Sequence, residues 1–252
     1  SNTQDGEIVD SLLPQAISPR IYMNADSVYV EVDDSSAVLY YTLDGTMPTA
    51  YAQRYTGPFE LKDKAEVNVI ARKPAHRRSD VEGFRNWFVA DGATYRIEST
   101  VNPQASVSEF RDGNTASGYV GYFVVGDSVI ADSTAYLLTG IDKGAFRNAT
   151  ALRSIQVEGT ALRSVGDSLF HGCTALNAVV WDIDLPLQAS MFDQKSYHNL
   201  LVYLPGAMDF SHPLVGEHAM TLVRDGACDT LLLAYQYPFY APRTFTASHV
   251  SY

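Results

Sequence analysis

The sequence predicts a mostly β chain in two parts, a sandwich followed by a short solenoid. Two observations lead there. Short, strict alternations of apolar and polar residues, broken by Asp, Ser, Gly and Pro, fill the first third of the chain. A longer pattern, in which the surroundings of Phe146 return around Phe170, fills its middle. Helix is expected only as short turns, such as those around Phe146 and Phe170.

The first part is read from its alternations. "SVYVEV" puts Val28, Val30 and Val32 on one face, and "EVNVIARK" does the same with Val67, Val69 and Ala71. Between them lies "VLYYTLDGTMPTAYAQRYTGPFEL", residues 38 to 61. The dividers are Asp-Asp-Ser-Ser, Asp-Gly and Gly-Pro, all of them turn formers. Alternation at period 2 with turns at such spacing predicts an antiparallel sandwich. In adjacent Tyr40 and Tyr41 one ring must face the core and the other solvent.

The second part is read from its repeat. "IDKGAFRNATALRSIQV" starts at residue 141 and "VGDSLFHGCTALNAVVW" at residue 165. Phe146 aligns with Phe170, Thr150 with Thr174, Ala151 with Ala175 and Leu152 with Leu176. Ile141/Val165, Ala145/Leu169, Ile155/Val179 and Val157/Trp181 keep apolar character. The constant offset between these pairs suits one coil of a solenoid. One coil cannot cover its own apolar residues, so coils must stack, with strands roughly 4.8 Å apart. The two Phe rings are expected in equivalent buried slots.

Two resemblances follow from these residues. "GAFRNATALRSIQV" and "SLFHGCTALNAVVW" resemble BspA-like leucine-rich repeats over residues 139 to 184. "NLLVYLPGAM" at 199 to 208 resembles a degenerate third coil that keeps Leu200, Val202 and Leu204. "MTLVRDG" and "DTLLLAYQYPF" are expected to continue as short strands that close the end. "YPFYAPRTFTASHVSY" reads as a hand-over to a following segment. The string "YYTLDGTMPT" with "YTGPF" resembles the Ig-like domain at the C-terminal end of chitobiases and hexosaminidases, over about residues 14 to 86. The first resemblance implies a secreted or surface-attached bacterial binding module. The second implies an accessory sandwich without catalytic carboxylates.

The expected domains are therefore an Ig-like sandwich over residues 12–86 and a leucine-rich repeat solenoid with irregular caps over 87–252. "KPAHRRSD" (73 to 80) suits an exposed loop, and "GFRNWFVADGATYRI" (83 to 97) a last sandwich strand running into the first coil. Residues 98 to 138 carry the weakest pattern, with "YVGYFVVGDSVIADSTAYLL" expected to supply the first strands of the array.

Composition narrows the function. A net charge of −11 argues against nucleic acid and anionic membrane surfaces as partners. No run approaches the ~18 apolar residues of a membrane helix. "SNTQDGEIVD" is polar and acidic, and the lack of an export signal there decides nothing about export.

Candidate chemistry is sparse. The paired acids Asp33 with Asp34, Asp127 with Asp132, and Asp182 with Asp184 could do acid and base work, but each sits at a turn, where Asp is favoured. His76, His171, His198, His212, His218 and His249 lack the close helical spacing of a zinc site. No Gly-x-Ser-x-Gly elbow or phosphate-cradling Gly loop occurs. The sequon Asn148-Ala149-Thr150 falls inside the repeat. Cys173 takes the place of Ala149 in the preceding coil, so it is expected as a packed thiol. Cys228, far along in a separate coil or cap, could bridge it only in an exported chain. Sixteen tyrosines make aromatic contact the livelier idea. Tyr40, Tyr41, Tyr51 and Tyr55 crowd the sandwich, and Tyr197, His198 and Tyr203 lie in the third coil; packing is the favoured role for the sandwich set.

The expectation is a non-enzymatic extracellular or cell-surface binding or adhesion module that acts as a monomer on a host protein or glycan. No catalytic, cofactor or metal residues are assigned, and the ligand-binding residues stay unassigned. The alternative is an accessory piece of a secreted carbohydrate-active enzyme.

Overall fold

The computed structural model describes residues 12–109 and 119–193 in full, and beyond them the backbone of strands Leu200–Leu204, Met220–Arg224, Thr230–Ala234 and Thr244–Thr246. The chain is mostly β, with one 3-10 turn at Ala189–Met191 among the described residues. It divides into two compact units: residues 1–88 with 96–104, and residues 89–95 with 105–252.

The first unit holds strands β1 (Arg20–Asn24), β2 (Ser27–Glu31), β3 (Val38–Thr42), β4 (Gln53–Arg54), β5 (Phe59–Glu60), β6 (Glu66–Arg72) and β7 (Glu82–Arg85). They form two antiparallel sheets, β1-β2-β5 and β4-β3-β6-β7. The alternation sets the faces as expected. Met23 pairs with Val28 and Ile21 with Val30 on the inner side, while Tyr22 pairs with Tyr29 outside. Val67, Val69 and Ala71 are fully buried, as is Met23. Val32 falls one residue past β2 and is half-buried. Tyr41 of β3 stacks on Phe59 of β5, with centroids 4.9 Å apart, and so ties one sheet to the other.

Two-residue hairpins close with both central residues at positive φ at Ala25–Asp26, Asp91–Gly92 and Asp132–Ser133. This is the type I′ geometry, whose twist matches that of the flanking strands. In the first unit Asp26 also neutralises Arg96, whose side chain is 9% exposed and also lies 3.6 Å from Glu98. A cation buried that deeply requires such partners.

Asn86 is a second polar anchor of this unit and is fully buried. Its Oδ1 accepts from the Ala65 amide at 2.9 Å, and its Nδ2 donates to the carbonyls of Asp63 (2.7 Å) and Leu61 (3.5 Å). The "KPAHRRSD" stretch is more constrained than an exposed loop. The Arg77 amide donates to Pro14 O and its carbonyl accepts from Ala16 N, while buried Ser79 exchanges hydrogen bonds with Ala71.

The second unit uses β8 (Trp87–Ala90), β9 (Ala93–Ser99), β10 (Gln104–Val107), β11 (Val120–Val125), β12 (Ser128–Ala131), β13 (Thr134–Ile141), β14 (Ala151–Val157), β15 (Ser164–Val165), β16 (Ala178–Trp181), β17 (Leu200–Leu204), β18 (Met220–Arg224), β19 (Thr230–Ala234) and β20 (Thr244–Thr246). The chain crosses between units within β8, β9 and β10, so Trp87, Phe88 and residues 96–104 belong to the first unit. "WFVADGATYRI" is a hairpin rather than one run, because Asp91-Gly92 supplies the turn.

The repeat governs the pairing here. Ser154 pairs with Ala178 and Val157 with Trp181, in parallel and one repeat apart. Gly140 with Ser164 and Ile141 with Val165 keep that offset in a second parallel row. The sheet runs β11-β14-β16-β17-β18-β19-β20; its strands are parallel as far as β18 and antiparallel after it.

Phe146 and Phe170 are fully buried and stacked, 5.7 Å apart and 8° from parallel. Leu152 and Leu176 are buried as well. The column continues where the sequence pattern did not: Tyr119 and Phe123 pack on Phe146 at one end, and Phe192 packs on Phe170 at the other. Backbone conformation repeats too. Gly144 is left-handed, and so is Ser168 one repeat later; Asn148 and Gly172 form a second such pair. Residue types change across these pairs but the turn does not, since Gly and Asn both tolerate that region.

Candidate functional site

The acids suspected from the sequence serve local structure. Asp33 pairs with Arg20 at 2.8 Å on the surface. Asp34 accepts from the Ser36 amide and hydroxyl and pairs with Lys73 at 2.8 Å. Its carboxyl is held well below the usual range, first by the hydrogen bond from Lys73 and then by those from Ser36. Asp127 accepts from the Thr160 hydroxyl and amide, both at 2.7 Å, which lowers its pKa. Asp132 forms a hairpin turn. Asp182 and Asp184 are exposed.

His76 Nδ1 lies 2.9 Å from Pro74 O, and His171 Nε2 lies 3.0 Å from Ser190 O. His198, His212, His218 and His249 lie outside the described residues, as does Cys228. Cys173 is buried, and its Sγ donates to Phe146 O at 3.0 Å, in keeping with a packing slot. Among the described residues no three His, Cys, Asp or Glu side chains gather as a metal site, and no helix there is long and apolar enough to cross a membrane.

The sandwich tyrosines divide as the alternation demands. Tyr41 is buried and Tyr40 half-buried. Tyr55 closes the edge of β2: its hydroxyl accepts from Val30 N at 3.1 Å, and its ring meets Phe59 edge-on. Tyr51 stands in solvent, 99% exposed. On the outer face Tyr22 and Tyr29 stack at 5.0 Å, so each ring occupies one face of the other. The side chains of Tyr197 and Tyr203 lie outside the described set.

A concavity forms in the second unit, where no motif pointed. This cleft of about 270 Å³ is lined by Asp91, Tyr95, Tyr122, Phe123, Val124, Gly126, Ser128, Val129 and Leu138. Asp91 is placed by its hairpin turn. Burial first, and the Asp91 carboxylate second, push the Tyr95 phenol up to about 12, so it stays a neutral hydroxyl near neutral pH. Beside the cleft Tyr122, 57% exposed, donates its hydroxyl to Gln156 Oε1 at 2.5 Å, and Gln156 Nε2 donates to Glu158. The one signal that could have exposed this site was the Asp91-Gly92 dipeptide, a hairpin former set between two apolar runs. The arrangement offers a carboxylate, neutral hydroxyls, an apolar wall and a strand edge, which are means of holding a ligand.

The fold and these features define a two-unit β protein, a sandwich joined to a parallel ladder. Residues 18–82 match the family model described as the chitobiase/beta-hexosaminidase C-terminal domain. A crystal structure of a leucine rich cell surface protein from Faecalibacterium prausnitzii is similar at 15% identity, with a TM-score of 0.32. That likeness covers 54% of this chain and 32% of the other, so the chain spans about a third of that protein's length. No curated protein matches.

Proposed function

We propose that this chain is a non-enzymatic binding module that works at the cell exterior, with a host protein or glycan as its ligand. The observation that carries the reading is the match of residues 18–82 to a domain family named for its place at the C-terminal end of chitobiases and hexosaminidases. Within the matched stretch, Asp33, Asp34 and Asp44 are engaged by Arg20, Lys73, Ser36 and Thr46, as turn and surface acids are. The resemblance of residues 139 to 184 to surface-protein repeats supports the same reading. In it, the in-register strands β11, β14 and β16 supply a regular outer face for contact.

The same match favours a second reading, an accessory piece of a secreted carbohydrate-active enzyme. One experiment separates them. The purified chain is run on a glycan array and a panel of extracellular-matrix proteins, beside a general glycosidase screen. A binding module gives a saturable ligand and no turnover. Turnover of a glycoside, abolished by a single Asp or Glu substitution, overturns both readings. Binding of a sugar through the sandwich alone moves the conclusion to the accessory piece.

A further inference from the structure

The cleft of the second unit combines an apolar floor with a rim of one charge. Phe123, Val129 and Leu138 are buried and line it from below. The lining holds one acid, Asp91, and no base. Asp91 is exposed on its hairpin turn, and its carboxylate is near enough to the Tyr95 phenol to raise it. Ser128 is the other exposed polar residue of the rim that matters here. Among the described residues no side-chain hydrogen bond or ion pair engages Asp91 or Ser128. Asp33, Asp34 and Asp127 differ in this respect, for Arg20, Lys73 and Thr160 hold them. An acid left to itself beside an apolar cavity is placed to meet a cation brought from outside.

We propose that this cleft is a binding site for a small organic cation, one ammonium group on a short apolar body. The ammonium donates to the Asp91 carboxylate at the rim, and the body covers Phe123, Val129 and Leu138. The size of the ligand follows from the cavity. Its volume of about 270 Å³ lies just under the ~300–1,000 Å³ of ordinary ligand pockets, which suits a monoamine rather than an oligosaccharide. The charge follows from Asp91, which repels an anion and leaves a neutral ligand of the same shape without its ion pair. A sugar ring fits less well. Phe123 and Tyr95 are 8% and 3% exposed, so neither offers an open ring face for stacking.

The site goes beyond the binding-module reading, which concerns a protein or glycan as ligand. The test uses the whole chain and three probes of like shape: phenethylamine, 2-phenylethanol and 3-phenylpropionate. Each is titrated at neutral pH and followed by saturation-transfer NMR. The proposal predicts saturable binding of the amine, about tenfold weaker binding of the alcohol and none of the acid. Asp91→Asn weakens the amine about tenfold and leaves the alcohol unchanged, a split that a general loss of packing would not give. Ser128→Trp puts a bulky ring at an exposed lining position and removes both, with thermal melting as the check on folding. Asp91→Asn is read even where Ser128→Trp is unstable, because Asp91 is an exposed turn residue at positive φ and Asn tolerates that conformation.

Absence of saturable amine binding to the unmodified chain overturns the proposal. So does equal binding of amine and alcohol, or an amine affinity unmoved by Asp91→Asn. If the array or matrix panel yields a ligand that Asp91→Asn and Ser128→Trp leave intact while the amine fails, the cleft assignment falls and the module reading stands. A glycan whose binding is lost in Ser128→Trp, with the amine inert, replaces the cation as occupant and refutes it.

Discussion

The two units solve the same problem, covering apolar strand faces, by different uses of sequence distance. In the first, neighbours in the sheets are mostly near in the chain, and turns set the register. Tyr22 finds Tyr29 across a two-residue turn. In the second, register is set by repeat length: Ile155 pairs with Val179, in parallel and one repeat further along the chain. A turn fixes only its own hairpin. A repeat copies every slot, so its core side chains stack on their own equivalents, as Phe146 does on Phe170. Local pairing thus yields a core of varied contacts, Tyr41 on Phe59 among them, and repetition yields a column.

The contrast can be tested because the chain has two tryptophans, Trp87 and Trp181. Trp87 lies in the first unit with Lys64 Nζ 4.1 Å from its ring centroid, and Trp181 is buried in the second with its indole N–H donating to Leu185 O at 2.7 Å. Replacing one by Phe leaves a reporter for the other unit. The largest expected effect comes from the column. Phe170→Ala should cost ~3–5 kcal/mol in urea unfolding read at Trp181. Phe146→Ala with Phe170→Ala should cost less than their sum, since the rings share one contact. A loss near 1 kcal/mol, or strict additivity, breaks the stacked-column account.

A smaller effect is expected in the sandwich. Asn86→Ala strands the Ala65 amide and the Asp63 carbonyl without their side-chain partner, at about 2–3 kcal/mol. The loss should appear in the Trp87 transition. If Trp181 alone responds, the assignment of Asn86 as an anchor of the first unit is wrong.

The smallest effect concerns pH. The native Asp34 carboxyl is depressed by Lys73 and Ser36, so the unfolded chain takes up its proton first. Its contribution is complete above the unfolded value near pH 4 and fades as the pH falls through the native one. Asp34→Asn should lower Tm at pH 7, and the gap to the unmodified chain should narrow steadily as the pH falls below about 4. A gap that persists at low pH would assign Asp34 a role independent of its charge.

Much of the first unit was legible because alternation is a local property. Val67, Val69 and Ala71 are buried for the reason their spacing suggests, and Tyr41 faces inward while Tyr40 does not. The Phe and Leu slots of the repeat were legible for a like reason: identical slots demand similar side chains. Tyr119 and Phe192 were not legible as members of the column. They sit at its ends, outside the repeat offset, and join it through space.

Strands, their buried faces and the offset at which the second unit pairs are written along the chain. They follow from side-chain alternation and from the length of one repeat. Three-dimensional packing was needed to decide that residues 96–104 return to the first unit, that Gly144 and Ser168 share one backbone conformation, and that a cleft opens beside β11. A cleft is a gap between elements remote in sequence. Asp91 and Phe123 are brought to its lining by how strands pack, and no local pattern of apolar residues records that meeting.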